Sequence, residues 1–349
     1  MNAKLPALAL LALTIATAAP AATTAGTPRF TGEALLAANV PWATIQQVAG
    51  KSFWPELPAF NTTIDEEEPQ PLAAVSQVFD DIKGKTTITT RLYAYPSPKI
   101  SLEFLQSAAI VPGSIDQDSP AVGDQHFYYV TSLTSGVRST RLYFVHKQIG
   151  VEVQVDGALW SRSKIAALAN PIDQRLGQLL AGTLKTPPIP AAQLAHLPTR
   201  GLPGPVLGTA MVPAEAWANM SHNGSMSAIR SKLVATGNAT FPFRRYLRQG
   251  SRTDVVEVAL LTFPTAAAAL AWNQPFSAGV KAHPQDALDA GATGSHSAFR
   301  FELDNYELQF VSGRYVADVF CYAPFVADAS PACEPAVRTL ASAWYSQLR

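Results

Sequence analysis

The sequence contains only two cysteines, Cys321 and Cys333, among 349 residues. They do not form a C-x-x-C pair and no histidine stands beside either one, which argues against a thiol redox site or a zinc site. An even pair of cysteines close together in an exported chain is most often a disulfide. We therefore predict a Cys321–Cys333 disulfide, with a redox or metal site as the weaker alternative.

The sequence also lacks an excess of charge, because 26 basic residues balance 26 acidic ones. No global charge attracts the chain to nucleic acid or to an anionic membrane, so neither is a predicted partner. Charged residues make up 15% of the chain and apolar residues 48%, which is typical of a globular protein rather than a disordered one.

Long hydrophobic runs are missing too. The first residues contain Lys4, a short apolar run (LPALALLALTIATA) and small residues from Ala16 to Ala21 where cleavage can occur. This pattern predicts a secretory signal peptide over residues 1–22. After it, no stretch is apolar for the roughly 18 residues that a membrane-spanning helix needs. We expect an exported protein, periplasmic or secreted, without a transmembrane anchor.

Recognisable catalytic motifs are absent: there is no G-x-S-x-G, no H-E-x-x-H and no EF-hand loop. Gly84-Lys85-Thr86 lacks the earlier glycine of a phosphate-binding loop, since Phe79 stands in its place. The sequence predicts no catalytic residue, no metal site and no cofactor. Two alternatives stay open for a metal site or a hydrolase, and they involve His283, Asp286, Asp289 and His296, or the acids Asp65, Glu66, Glu67 and Glu68.

An internal repeat is the clearest positive signal. The stretch ITTRLYAYPSPKISLEF at residues 88–104 corresponds to VEVALLTFPTAAAALAW at residues 256–272, and Pro264 follows Pro96 by 168 residues. In each copy an alternating apolar run predicts a strand, and proline ends it. Ser97 or Thr265 then stands where a helix N-cap belongs.

The rest of each half follows the same order. Opening helices are expected near Thr31 and Val212, closing amphipathic helices from Ser161 and Ser330, and three antiparallel strands before each closing helix. The fold class is therefore α+β, with two tandem copies of an antiparallel sheet whose helices pack on one face. The expected boundaries are 27–183 for the first repeat, 184–205 for a Pro/Gly-rich linker and 206–349 for the second repeat.

The order of these elements resembles a known kind of protein. An LTFPTAAAALAW turn, then GRYVADVFCYAP, then a closing LASAWYSQL helix is similar to small secreted sensor-type domains of bacteria, such as the extracellular ligand-binding domains of some Ser/Thr kinases. The resemblance implies a Mog1/PsbP-like sheet covered by helices, and a binding module whose ligand is unassigned. The first half departs from those domains because it has no cysteine.

Charge is distributed unevenly along the chain. Residues 56–81 carry seven acids and no base, and these are Glu56, Asp65, Glu66, Glu67, Glu68, Asp80 and Asp81. Residues 216–253 carry six bases and no acidic residue, and these are Arg230, Lys232, Arg244, Arg245, Arg248 and Arg252. The repeat offset places one stretch on the other. Two unrelated solvated faces would explain this, and so would a pair of complementary faces.

The six bases are the predicted binding residues. Three of them, Arg244, Arg245 and Arg248, interleave with the aromatic residues Phe241, Phe243 and Tyr246, which suits a mixed stacking and ionic surface. We expect an exported, non-catalytic binding or interaction protein whose basic face engages an anionic envelope polymer or an acidic protein. Self-association through the opposite-charge faces is a further possibility. The alternative is an envelope hydrolase with an unrecognised active site.

Overall fold

The structure is a computed structural model that describes residues 30–61, 70–109, 121–132, 138–186, 188–220, 225–302, 305–323 and 330–349. The predicted signal peptide lies outside the described residues, and so do Asp65, Glu66, Glu67 and Glu68. Within these ranges, every helix is too short or too polar to cross a bilayer.

The described part of the first half contains four helices and seven strands. They are α1 (Gly32–Ala38), α2 (Trp42–Val48), β1 (Phe53–Pro55), β2 (Ala59–Asn61), β3 (Ala73–Asp81), β4 (Thr87–Ala94), α3 (Pro98–Ala109), β5 (Gln125–Ser132), β6 (Arg138–His146), β7 (Ile149–Asp156) and α4 (Arg162–Leu180).

The remaining described elements are α5 (Ala191–Leu194), β8 (Val206–Pro213), α6 (Ala214–Met220), α7 (Met226–Ala235), β9 (Thr240–Leu247), β10 (Val255–Thr262), α8 (Ala266–Ala282), β11 (Ala287–Leu288), β12 (Ser297–Glu302), β13 (Asn305–Ser312), β14 (Tyr315–Tyr322) and α9 (Cys333–Leu348).

The strands form two antiparallel sheets of seven strands each. The first has the order β1-β3-β4-β7-β6-β5, with β2 also paired to β3, and the second has the order β11-β12-β13-β14-β10-β9-β8. In both sheets the strand before the proline turn pairs with the last strand of the meander, β4 with β7 and β10 with β14. The predicted α+β class with two antiparallel sheets is confirmed.

The strand–proline–helix unit occurs in both halves as predicted. The strand starts are 168 residues apart (255 − 87), and so are the helix starts (266 − 98). The Ser97 hydroxyl accepts the backbone N–H of Ile100 at 3.4 Å, and the Thr265 hydroxyl accepts that of Ala268 at 3.1 Å. Both N-caps satisfy a backbone donor that the first helical turn leaves free.

The helices were expected on one face of each sheet, but they cover both faces. Leu92 and Val153 share a core with the closing helix α4, while Tyr93, the next residue along the strand, packs with Phe104 of α3. Neighbouring residues of a strand point to opposite faces, so α3 and α4 lie on opposite sides of the sheet. Similarly, α9 packs on one face of the second sheet and α8 on the other.

A single core cluster joins the two halves. It contains residues of the first half, such as Val151, and of the second half, such as Phe243. Phe60 is fully buried there, and its ring occupies the space that a side chain at Gly208 or Gly32 would need. A hydrogen bond of 2.8 Å from the Thr209 N–H to the Glu33 carboxylate adds a polar contact between the halves.

The predicted linker is fastened to the second half. Leu197 is fully buried beside α9. The Trp344 indole donates to the carbonyl of His196 at 2.7 Å, and the Gln347 amide donates to that of Leu197 at 2.9 Å. The segment therefore lies along α9 as a packed strap.

The predicted disulfide is present, with an S–S distance of 1.99 Å between Cys321 and Cys333. It joins the end of β14 to the start of α9, and both cysteines are fully buried. The closing helix begins at Cys333, three residues after its predicted start at Ser330, and the Ser330 carbonyl accepts the Cys333 N–H at 2.8 Å.

The substitution Gly208→Ala tests the contact between the halves. We expect it to lower the free energy of unfolding by about 1–3 kcal/mol, because the added methyl group overlaps the Phe60 ring in a packed core. Chemical denaturation measures the change. Gly279→Ala is the matched control, since Gly279 lies in α8 with open space around it. It should be neutral or stabilising. Equal stability of the two variants would contradict the close contact between Phe60 and Gly208.

Replacement of both cysteines by alanine tests the disulfide. The sequence separation is 12 residues, and closure of such a loop stabilises a fold by about 3 kcal/mol in the chain-entropy model. We expect thermal unfolding of the double variant at a lower temperature, with loss of α9 contacts first. An unchanged melting temperature would show that core packing alone holds α9 on the sheet.

Candidate functional site

Four of the six predicted basic residues bind other parts of the second half. Arg245 is almost fully buried, with its guanidinium 3.1 Å from the Glu257 carboxylate. Three more contacts complete the set: Arg248 to Asp254 at 2.8 Å, Arg230 to Glu215 at 2.5 Å and Arg244 to the Thr209 hydroxyl at 3.1 Å. Lys232 and Arg252 are exposed. The binding role of the six residues stays a prediction.

The aromatic residues that interleave with these arginines are in the core. Phe241, Phe243 and Tyr246 are each at most 1% exposed. Along β9 alternate residues point to opposite faces, and both faces are covered by helices, so these rings offer no stacking surface to a partner. The exposed cation nearest an aromatic ring in this region is Lys232, 5.1 Å from the centre of the Trp272 ring.

Ion pairs identified among the described residues connect residues of the same half, as in Arg91–Glu152 and Arg300–Glu307. The halves meet instead through the apolar cluster around Phe60. Self-association through charged faces is untested and stays a prediction.

The alternative hydrolase residues are spread along one loop. His283 is exposed at the end of α8, and its carbonyl accepts the Asp286 N–H at 3.0 Å. Asp289 lies 3.9 Å from Arg338, and His296 is exposed. Across the described ranges, no group of three or more His, Cys, Asp or Glu side chains is arranged to hold a metal ion.

A histidine–carboxylate pair occurs elsewhere, between His146 of β6 and Asp173 of α4, with 2.6 Å between Nδ1 and Oδ1. Gly177 of α4 also lies beside the His146 ring, and a Cβ atom added at this glycine would be 3.9 Å from Nε2. The pair connects α4 to the sheet at this point.

A groove opens along the edge of the second sheet, between α8 and the chain around β11 and β12. Its volume is about 620 Å³, within the range of sites that bind small molecules. Its lining includes the apolar residues Leu270, Val280 and Leu288. Polar groups lie along α8 and the opposite loop, and they are Asn273, Gln274, Ser277, Lys281, Asp289, Ser295, His296 and Ser297.

Asn273 lines this groove, and hydrogen bonds hold its side-chain amide in place. Its side chain is 1% exposed, and its amide nitrogen donates to the carbonyl of His296 at 3.0 Å and to the Ser277 hydroxyl at 3.1 Å. A carbonyl can only accept, so the nitrogen must face His296 and the orientation of the amide is defined. Its oxygen is buried and has no hydrogen-bond partner.

Each sheet also carries a buried acid at the same strand position. Glu152 is the fourth residue of β7 and Asp318 the fourth of β14. Glu152 binds Arg91 at 2.7 Å and the Tyr143 hydroxyl at 2.6 Å. Ala259 replaces the arginine in the second half, and burial raises the pKa of Asp318 well above its usual value, with a further contribution from the charge of Glu307. The two networks therefore differ, because Arg91 stabilises the charge of Glu152 while burial and the charge of Glu307 disfavour the charged form of Asp318.

A second pair of carboxyl groups lies at the junction of the halves. Asp80 accepts hydrogen bonds from Thr87 at 2.9 Å and from the Asn219 amide of α6 at 3.1 Å. Burial, a hydrogen bond to Asp80 and the charge of Asp80 together raise the pKa of the neighbouring Glu56 to about 7. Burial raises the pKa of Tyr322 in the second half, and the charge of Glu56 also raises it.

Sequence reasoning named Asp289 and His296 of the groove lining as alternative metal or hydrolase residues, but it missed the polar residues of α8. Asn273, Ser277 and Lys281 are four residues apart along the predicted helix, the spacing that places side chains on one face. The surrounding residues are rich in alanine, so three polar residues in register were the available signal.

Comparison with known proteins adds little. No protein-family model matches the chain, and no curated protein matches it. One similar solved structure is the extracellular domain of PknH from Mycobacterium tuberculosis. It is 12% identical, the alignment covers 43% of this chain and 98% of that domain, and the TM-score is 0.34. A score of this size does not establish a common fold, and the Mog1/PsbP-like resemblance stays a prediction.

Glu56→Gln tests the junction pair. A carboxyl group whose pKa is raised on folding stabilises the protein at low pH, and this contribution is lost as pH rises from the unfolded value of 4.5 through about 7. We expect the free energy of unfolding to fall over this window by an amount on the order of 1 kcal/mol, since Glu56 is partly solvated.

The glutamine variant should show a smaller fall between pH 5 and pH 8 (roughly the titration window), measured by urea denaturation. Glu103→Gln, at a half-exposed carboxylate of α3, is the control and should keep the full pH dependence. A fall of the same size in all three proteins would mean that Glu56 does not titrate in this range.

Proposed function

We propose that the protein is an exported, non-catalytic binding protein built from a duplicated α+β module. The observation that carries the proposal is the groove beside α8, whose lining of apolar residues with a few polar side chains suits the retention of a small molecule or a chain end. The disulfide supports export, since such bonds persist in oxidising compartments. The shared strand order of the two sheets supports duplication.

The buried networks support a binding role rather than a reactive one. Glu152, Asp318 and Glu257 each have hydrogen-bond partners within the fold, and their strands are covered by helices. Three histidines likewise have partners: His126 contacts a carbonyl, His146 contacts Asp173 and His196 contacts Tyr315. Groups held in this way stabilise the sheets and are less available to a substrate.

Two of the six predicted basic residues contribute to the proposal. Lys232 and Arg252 are exposed and could add an ionic contact to an anionic envelope polymer or an acidic protein. Such a contact weakens with salt, because exposed charges are screened within about 10 Å at 0.1 M ionic strength.

The test is capture of components from an envelope extract of the source organism by the immobilised chain, at low and high salt. We expect a retained component in both, with partial loss at high salt. The double variant Lys232→Gln/Arg252→Gln should remove only the salt-sensitive part. Lys185→Gln, at an exposed lysine of the linker, is the matched control.

The same preparations are assayed for release of cleavage products from the extract. Turnover that is lost in His296→Ala or His283→Ala would contradict the non-catalytic proposal and favour an envelope hydrolase.

A further inference from the structure

We propose that the contact between the two halves is proton-sensitive: a proton held between Glu56 and Asp80 keeps the C-terminal end of α6 on the first sheet, and its loss lets that end move away. Glu56 follows β1, Asp80 lies in β3, and α6 belongs to the second half. This inference goes beyond the proposed binding function and does not depend on a ligand.

The two carboxyl groups require a proton between them. A hydrogen bond joins the side chains of Glu56 and Asp80. An ionised carboxylate can only accept, so one of the two groups must be protonated to donate. Burial, this hydrogen bond and the charge of Asp80 raise the pKa of Glu56 to about 7, which makes Glu56 the proton carrier. When the proton leaves, two like charges face each other at a half-buried position.

The cations of the packed elements of the second half are engaged with other acids. Arg245 of β9 is paired with Glu257 of β10 at 3.1 Å. Arg230 of α7 is paired with Glu215 of α6 at 2.5 Å. These pairs leave the charge that forms on Glu56 without compensation from β9, α6 or α7.

The remaining titratable neighbours do not relieve the repulsion either. Tyr322 of β14 lies close enough for the charge of Glu56 to raise its pKa, and its hydroxyl donates to Glu257 at 3.0 Å. Asp81 follows Asp80 along β3 and therefore points to the opposite face of the sheet. The two carboxylates must therefore separate or become solvated.

Within the first half, both carboxyl groups are held by short hydrogen bonds. The Glu56 N–H donates to the carbonyl of Val78 at 2.9 Å, and the Gln77 amide donates to the carbonyl of Glu56 at 2.7 Å. Asp80 accepts from the Thr87 hydroxyl at 2.9 Å. These contacts fix the pair to β3 and β4.

The contacts that reach across to α6 are longer. The Asn219 amide nitrogen lies 3.1 Å from the Asp80 carboxylate, 3.3 Å from the Trp54 carbonyl and 3.5 Å from the Pro55 carbonyl. An amide has two hydrogens and cannot satisfy three acceptors, and hydrogen bonds weaken as they lengthen. Repulsion between the carboxylates is therefore relieved by loss of the Asn219 contacts, which admits water to the pair.

The opening is confined to the end of α6. Trp217, two residues before Asn219, packs edge-on against Phe241 with 5.5 Å between the ring centres and belongs to the core that joins the halves. This contact contains no ionisable group and is unaffected by the proton. The first turn of α6 therefore stays in place while its last residues move.

Amide hydrogen exchange of the full chain, followed by NMR, tests the inference. Protection factors at Ala218, Asn219 and Met220 are compared with those of Leu340 in α9, so that the intrinsic pH dependence of exchange cancels. A carboxyl group whose pKa is raised in the closed form favours that form at low pH, and this contribution is lost as pH rises through about 7. We expect protection at the end of α6 to fall about five- to tenfold from pH 6 to pH 8, with no matching fall in α9.

Two variants at the pair separate the proton from the packing. Glu56→Gln keeps a donor to Asp80 but does not titrate, so protection at the end of α6 should stay high at both pH values. Asp80→Asn removes the opposing charge and should reduce the fall to less than about twofold. Glu103→Gln, at a half-exposed carboxylate of α3, is the matched control and should show the full fall.

A third variant tests transmission to the helix. Asn219→Ala removes the amide, so the end of α6 should be weakly protected at both pH values, with a fall of less than about twofold, because the two changes act on one contact.

Three results would overturn the inference: equal changes of protection in α6 and α9, a full fall in Glu56→Gln or Asp80→Asn, or a full fall in Asn219→Ala. Each is measured without a ligand, so retention of an envelope component in the capture experiment tests the binding function separately.

Discussion

Phe60 lies where the two halves of the molecule meet, and the placement of one half against the other depends on the packing around it. Its ring is fully buried against Gly32 and Gly208, where even a methyl group would overlap it. Residues of both sheets then close around it in one apolar cluster. The two halves resemble each other in strand order, yet each has one sheet face that is completed by the other. Burial of apolar side chains in this cluster stabilises their relative placement.

Local signals made much of the fold predictable. Proline after an alternating run, followed by Ser97 or Thr265, defined a strand, a turn and a capped helix from residues close in sequence. The disulfide was predictable because only one pairing is possible. Helix placement was not, since it depends on which strand residues face which helix, and these strands are apolar on both faces. The predicted start of α9 at Ser330 was wrong, because Ser330 forms a separate turn before the helix begins at Cys333.

The charge stretches show why composition along the chain is a poor guide to a surface. Six bases between residues 216 and 253 suggest a basic face. In β9 the neighbours Arg244 and Arg245 point to opposite sides of the sheet. Three of the bases form ion pairs with acids outside the basic stretch or on another strand: Arg245 with Glu257, Arg248 with Asp254 and Arg230 with Glu215. The groove residues present the reverse case. Asn273, Ser277 and Lys281 form a usable row because a helix brings every fourth residue together.

The strap between the halves has a practical consequence for dissection of the protein. Trp344 and Gln347 of the last helix hold the backbone at His196 and Leu197. A fragment that starts at the end of the Pro/Gly-rich segment would leave the indole without its acceptor and expose an apolar strip of α9. An expression boundary for the C-terminal half therefore belongs ahead of α5, and a protease would find fewer open sites in this segment than its proline and glycine content suggests.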